Sequence, residues 1–285
     1  MAAEPGEAAQ ELKLLRSLPL LLITLCACRT ITPAAPPPSA VWEVPISFAG
    51  GLPVVEATIR GKPVLLALDT GAPEITLQAW FLKSLGIEPT QADGHLVAEL
   101  PLQLGTSVTT AKWRLVETDP TQRELGIGGT LSPQKLLAKG AVAIDFPRKR
   151  LLALDGKANA WLRWLDERSP QGQVEALPRA APFDGRLHVM TRVGDGREVT
   201  TAIDSGKARS IYASTLFDPS LLAGGQHVAG LHLRVGQAEF GPLDIGVQPA
   251  EAAVEGWLGM DVLLRTVLLV PVHELHPIWL MTPTP

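Results

Sequence analysis

Residues 54–71 and 189–206 are one stretch used twice. They align without a gap at a shift of 135, sharing Val54/Val189, Gly61/Gly196, Val64/Val199, Ala67/Ala202, Asp69/Asp204 and Gly71/Gly206, six identities over eighteen positions. Lys62/Arg197, Leu68/Ile203 and Thr70/Ser205 are conservative beside them. At a shift of 131, residues 94–105 align with 225–236, and the same shift carries Glu124-Leu-Gly-Ile-Gly128 onto Glu255-Gly-Trp-Leu-Gly259. Matched blocks in preserved order mark a duplicated unit, so the chain is expected to build two related lobes.

Each copy reads as strands. Val54–Arg60 and Leu187–Val193 are rich in β-formers and bounded by glycine, and Gly194-Asp-Gly196 signals a turn into a second strand. Helical spacing is confined to short pieces. One holds Leu77, Trp80, Phe81 and Leu85 before the stop at Gly86; the other is residues 159–168, between the copies, where Trp161 and Trp164 are read as packing residues. Glycine and proline make up 51 of 285 residues, above the roughly 12% of average usage, which suits many turns between short strands. With 46% apolar and 19% charged residues, the composition is that of a globular chain. The expected organisation is all-β, with residues 43–155 as an N-terminal lobe, 156–180 as a linker carrying one short helix, and 181–285 as a C-terminal lobe.

Charge and cysteine usage narrow the partners. Net charge is −4, and the one dense cationic run, Arg148-Lys149-Arg150, reads as a solvated turn, so no basic stripe follows a phosphate backbone and nucleic acid is not an expected partner. Cys26 and Cys28 are the only cysteines, which leaves residues 29–285 without thiol or disulfide chemistry. Lys13 and Arg16 precede an uncharged run of eleven, Leu18–Cys28, shorter than the about 20 residues of a spanning helix and fitting a signal peptide over residues 1–27. Leu25-Cys-Ala-Cys28 resembles a bacterial lipobox, which makes Cys28 the expected lipidation site; plain secretory cleavage near Ala27 is the alternative. Residues 28–42 then form a Pro-rich tether. The protein is expected in a bacterial cell envelope, lipid-anchored to a membrane and facing the periplasm or on the outer membrane.

The chemistry sits at the end of the repeated block. Leu65-Leu-Ala-Leu-Asp69-Thr70-Gly71-Ala72 and Thr200-Thr-Ala-Ile-Asp204-Ser205-Gly206-Lys207 each place an acid, a small hydroxyl residue and a glycine directly after an apolar strand. A lone Asp-Thr/Ser-Gly is common by chance, whereas two at matched positions of a duplication are not. The paired motif resembles the retropepsin-like and pepsin-like aspartic proteases, over roughly residues 43–285. That resemblance implies a bilobal acid-protease fold of two homologous retropepsin-like lobes, with Asp69 and Asp204 as the catalytic pair in the cleft between them. Peptide hydrolysis without a metal or a covalent nucleophile needs one group to take a proton from water and another to give one to the carbonyl oxygen. Two carboxyls sharing a proton do both, as is general for aspartic proteases. In the family the hydroxyls, here Thr70 and Ser205, hydrogen-bond across the lobe junction, while Gly71 and Gly206 let backbone approach the acids. The resemblance implies no cofactor or metal and a peptide or protein substrate. With both acids on one chain, a monomer is expected.

Leu125-Gly-Ile-Gly128 and Trp257-Leu-Gly259-Met-Asp-Val-Leu263 are similar to the family's second signature, hydrophobic-hydrophobic-Gly, and residues 143–154 to the closing hairpin of bacterial members. Gly94 with His95, and Gly225 with Gln226, stand where flaps are expected, the two glycines 25 and 21 residues after the acids. Two departures stand out. Lys207 occupies a position where the family carries Ala or Ser, and a cation there would favour the fully ionised pair. The single tyrosine, Tyr212, follows the second motif, so no flap tyrosine exists. These departures keep open the alternative of a catalytically inactive, aspartic-protease-like binding module. His273-Glu-Leu-His276 lacks His-Glu-x-x-His spacing and no Gly-x-Ser-x-Gly occurs, which sets aside zinc and serine hydrolases.

Overall fold

The computed structural model describes residues 40–168, 172–181, 184–222, 226–250, 254–273 and 275–282; the expected signal peptide, Cys28, the tether as far as residue 39, and Gly225 lie outside them. The first half runs β1 (Ala40–Ala49), β2 (Leu52–Ile59), β3 (Lys62–Leu68), β4 (Thr76–Gln78), α1 (Ala79–Ser84), β5 (Thr90–Ala92), β6 (His95–Leu104), β7 (Ser107–Val116), α2 (Pro120–Glu124), β8 (Ile127–Leu131), β9 (Ala141–Asp145) and β10 (Arg150–Leu154). Helix α3 (Ala158–Arg168) and β11 (Gln173–Leu177) lead into the second half. There follow β12 (His188–Val193), β13 (Glu198–Ile203), β14 (Ile211–Ala213), β15 (His227–Val235), β16 (Ala238–Gln248), β17 (Gly256–Leu258), α4 (Met260–Leu263), β18 (Val267–Pro271) and β19 (Ile278–Thr282).

The duplication folds as two barrels with the same strand order. In the first, β2-β3-β8-β4-β7-β6 closes through the β2–β6 pairing, and in the second β12-β13-β17-β14-β16-β15 closes on itself. Each contains the same core device, a strand leading to an acid (β3, β13) paired in parallel with a later strand (β8, β17) that also pairs antiparallel with β4 or β14. The approach is close enough to need glycine: a Cβ on Gly129 would fall 2.2 Å from the Thr76 carbonyl oxygen, and one on Gly256 would fall 2.3 Å from Tyr212 Cε1.

A six-stranded sheet, β11-β19-β18-β9-β10-β1, joins the barrels. Strand β1 serves both, pairing with β10 over Ala40–Pro45 and with β2 over Ile46–Ala49. Residues 173–177, expected as linker, are therefore the edge strand β11. Strands β18 and β19 leave the second barrel to pair with β9 and with each other. The reason lies in strands that are apolar at nearly every position, Asp145 and Thr282 being the polar ends of β9 and β19. Val142, Ile144, Leu268, Val270, Ile278 and Leu280 enter the main core, while the alternate residues Ala141, Ala143, Val267, Leu269, Trp279 and Met281 point to the other face. A sheet buried on both faces needs a cover. Helix α3 supplies it with Trp161, Trp164 and Leu165 on one stripe. Truncating either tryptophan to alanine in such a cluster costs about 3–5 kcal/mol.

The β9–β10 turn is exposed, yet Arg148 is more than solvated. Its backbone N–H and guanidinium both donate to the buried Asp145 carboxylate at 3.1 Å, and Arg168 at the end of α3 reaches the same carboxylate at 3.4 Å. Arg148 also donates to the Arg168 carbonyl at 2.8 Å, which fastens the covering helix to the sheet.

Candidate active site

Each acid is the first residue beyond its strand, and its amide continues the parallel ladder. Asp69 N–H donates to the Leu131 carbonyl at 2.9 Å, and Asp204 N–H to the Leu258 carbonyl at 3.0 Å. The loop then folds back on the acid. Gly71 N–H donates to Asp69 Oδ1 at 2.8 Å, and Gly206 N–H to Asp204 Oδ1 at 2.9 Å. Glycine is needed here because a Cβ on Gly71 would lie 2.7 Å from the Asp204 carboxyl carbon. One on Gly206 would lie 3.1 Å from Asp204 Oδ1 and 3.5 Å from Asp69 Oδ2.

The two loops interlock through their hydroxyls. Thr70 N–H donates to Ser205 Oγ at 3.0 Å, Ser205 N–H donates to Thr70 Oγ1 at 2.9 Å, and Ser205 Oγ donates to the Leu68 carbonyl at 2.7 Å. Both side chains are fully buried. Reciprocal bonds between residues of different lobes fix the acids relative to each other without using the carboxylates themselves.

The carboxyls of Asp69 and Asp204 face the same spot beside Gly206 and stand close enough to influence each other's ionisation. Burial first, and the neighbouring Asp204 charge second, raise the Asp69 pKa from 3.8 to about 6, against the opposing pull of the Gly71 and Ala72 amides. Like charges this close ionise in sequence, so the pair holds one proton over an intermediate pH range. The ionising influence expected of Lys207 does not prevail. Its ammonium lies over the Trp257 ring, 6.0 Å from the centroid, at the outer reach of a cation–π contact.

The acids open into a pocket of about 240 Å³ whose other charged lining residues are Arg186 and Lys207. Gly94, His95 and Gln226, expected as flap residues, are not among its walls. Asp93 and Gly94, both at positive φ, form the two-residue turn between β5 and β6, with Ala92 opposite His95. His95 lines a separate cavity of about 390 Å³ beside Glu74, Ile75 and Lys135. The Gln226 carbonyl accepts from Val247 N–H at 2.7 Å, which extends the β15–β16 edge.

The second signature is also relocated in the first lobe. Leu68 pairs with Leu131 as Ile203 pairs with Leu258, so the counterpart of Leu258-Gly259 is Leu131-Ser132 and not Ile127-Gly128. Ser132 Oγ donates to the Ala72 carbonyl at 2.7 Å, holding the first acid's loop. Gln134 and Arg186 are further site residues that carry no motif. The Gln134 amide donates at 2.9 Å to the carbonyls of both Ala72 and Gly185, tying the first acid's loop to the segment that carries Arg186.

Two like barrels, a shared sheet, and paired acids at the interlocked ends of equivalent strands define a bilobal, pepsin-like aspartic-proteinase fold. Among solved structures, the chain is similar to the crystal structure of an aspartic proteinase from Irpex lacteus, with a TM-score of 0.57 over 85% of this chain and 97% of that one. Sequence identity is 11%, so the likeness is one of fold. No protein-family model matches the sequence, and no curated protein matches it either.

Proposed function

We propose that the protein is an aspartic endopeptidase. The observation that carries this reading is the reciprocal Thr70–Ser205 interlock, which holds Asp69 and Asp204 side by side in the wall of one open pocket. With one proton on the pair, the ionised carboxylate takes a proton from a water molecule whose oxygen attacks the scissile carbonyl carbon. The protonated partner gives its proton to the carbonyl oxygen. As the C–N bond of the resulting gem-diol breaks, the carboxyl that took the water proton passes it to the leaving nitrogen, while the other, now ionised, takes the proton of a gem-diol hydroxyl, which restores the singly protonated pair. Asp69 and Asp204 exchange the roles of base and acid through the cycle.

The test is peptidase activity of the full chain on a diverse peptide library from about pH 3 to 8, a range chosen to span carboxylate titration, beside Asp69→Asn and Asp204→Asn. Each single variant is expected to lose on the order of 10³-fold in kcat/KM with its fold intact. Variants that cleave as fast as the parent overturn the dyad. A folded parent that cleaves nothing returns the second reading, an inactive binding module, which draws support from the β5–β6 tip lining another cavity.

A further inference from the structure

The lining of the dyad pocket has an unusual charge balance for a site that must hold two carboxylates. Arg186 and Lys207 both face it, and apart from the pair itself no acid does among the described residues. With one proton on the pair, its single negative charge is outnumbered by the two cations, leaving the empty pocket with a net positive charge. Both cations are held by backbone. Lys207 N–H donates to the Asp204 carbonyl at 3.2 Å, and its own carbonyl accepts from Met260 N–H at 2.9 Å. Arg186 follows Gly185, whose carbonyl is bound by Gln134 and whose α-carbon packs against Pro73, where a Cβ would come within 3.2 Å. The Arg186 side chain is 38% exposed, and Asp184, its ion-pair partner among the described residues, stands 3.8 Å away with matching exposure. At that distance and exposure the pair is weak, leaving the guanidinium available to a better-placed carboxylate.

Arg186 also belongs to a second pocket. That cavity, about 270 Å³, is lined by Lys135, Arg179, Arg186 and His188 and, among the described residues, by no acidic side chain, with Asp184 standing 3.8 Å from both Arg186 Nε and His188 Nε2. A positive surface thus runs from the acids through Arg186 into the neighbouring cavity. The Arg179 guanidinium, anchored on the Pro271 and His276 carbonyls at 2.6 and 3.2 Å, gives it a fixed far wall.

We propose that Arg186 and Lys207 select polypeptides with an aspartate or glutamate side chain beside the scissile bond, Arg186 taking that carboxylate where the two pockets meet. The inference rests on the proteolytic reading of the dyad and names its substrate class. A guanidinium suits the task because its planar fork binds a carboxylate by two parallel hydrogen bonds. Lys207 balances the charge that such a substrate brings near Asp69 and Asp204.

The experiment uses the full chain and C-terminally amidated peptides, so that every substrate carboxylate is a side chain. Around a bond that the library shows to be cleaved, the flanking residues are varied among Glu, Gln, Leu and Lys. Glu is expected to exceed Gln in kcat/KM by about tenfold, the scale of a partly desolvated charge pair. Arg186→Gln is expected to bring that ratio to within about twofold of unity, Lys207→Gln to reduce it, and Arg186→Glu to shift the preference to Lys. A parent that cleaves the Gln or Leu peptide as well as the Glu peptide overturns the selection while leaving the protease reading intact. If no peptide is cleaved, the protease reading fails, and the selection is read from fluorescence anisotropy of labelled Glu and Gln peptides. Tighter binding of the Glu peptide that is lost in Arg186→Gln sustains it, and equal binding overturns it.

Discussion

Asp69→Asn separates the thermodynamic character of the dyad from its chemistry. The folded pKa of Asp69, about 6, lies above the ordinary 3.8, so the folded chain holds this proton more tightly than the unfolded chain does. At about pH 3 and below both states are protonated and the folded state carries no penalty. As pH rises through the interval from 3.8 to about 6, the unfolded chain releases the proton freely while the folded one resists, and stability falls. Above that interval the loss is constant, at roughly 3 kcal/mol from about 1.36 kcal/mol per pH unit. Asparagine mimics the protonated acid at every pH, since its Oδ1 still accepts from Gly71 N–H and its amide donates to Asp204. The variant and the parent should therefore be equally stable at about pH 3, with the variant ahead by about 3 kcal/mol at pH 7. In a domain of this size that is a Tm difference of roughly 6–12 °C. Urea and thermal unfolding of both chains at half-unit steps from about pH 3 to about 7.5 measure it. A stability difference that does not change with pH, or a parent more stable than the variant at pH 7, refutes the reasoning.

Ser205→Ala withdraws an acceptor from Thr70 N–H and a donor from the Leu68 carbonyl, both in buried surroundings, and should cost about 2–4 kcal/mol. Denaturant unfolding checks this, and a loss below about 0.5 kcal/mol would remove the interlock from the account of how the lobes are joined. Asp145→Ala leaves Arg148 and Arg168 facing a buried site without their shared carboxylate. Because those guanidinium groups are themselves partly in solvent, the expected cost is about 2–4 kcal/mol, below that of a fully buried pair. It should be seen as a lower Tm with kcat/KM changed less than twofold, since the dyad loops lie elsewhere.

What the sequence made legible was what a short segment determines by itself. Asp69 and Asp204 could be named because an apolar strand, an acid, a small hydroxyl and a glycine are contiguous, and because the motif recurs at a fixed shift. Elements set by long-range pairing were not readable in this way. Strand β18 is evidently buried from composition alone, but its partner β9 lies more than a hundred residues earlier, and only the need to cover both faces of the joining sheet places it there, with β19 beside it. Arg186 carries no motif; it lines the dyad pocket because Gly185 packs on Pro73 and is held by Gln134. The second signature shows the limit most sharply. A shift of 131 matches Glu124 with Glu255 and Gly128 with Gly259; a shift of 127 matches Gly129 with Gly256 and Leu131 with Leu258. Each offers two identities, so identity has no means of choosing. The choice belongs to the backbone: Asp69 bonds to Leu131 and Asp204 to Leu258, and the glycines that admit β4 and β14 are 129 and 256. Shift 127 therefore governs, and the position that glycine holds in the second lobe is filled by Ser132 in the first. Its hydroxyl ties down the Ala72 carbonyl, a bond that Gly259 has no side chain to make. The duplication has thus preserved the geometry of the acids while letting the residues that brace them diverge.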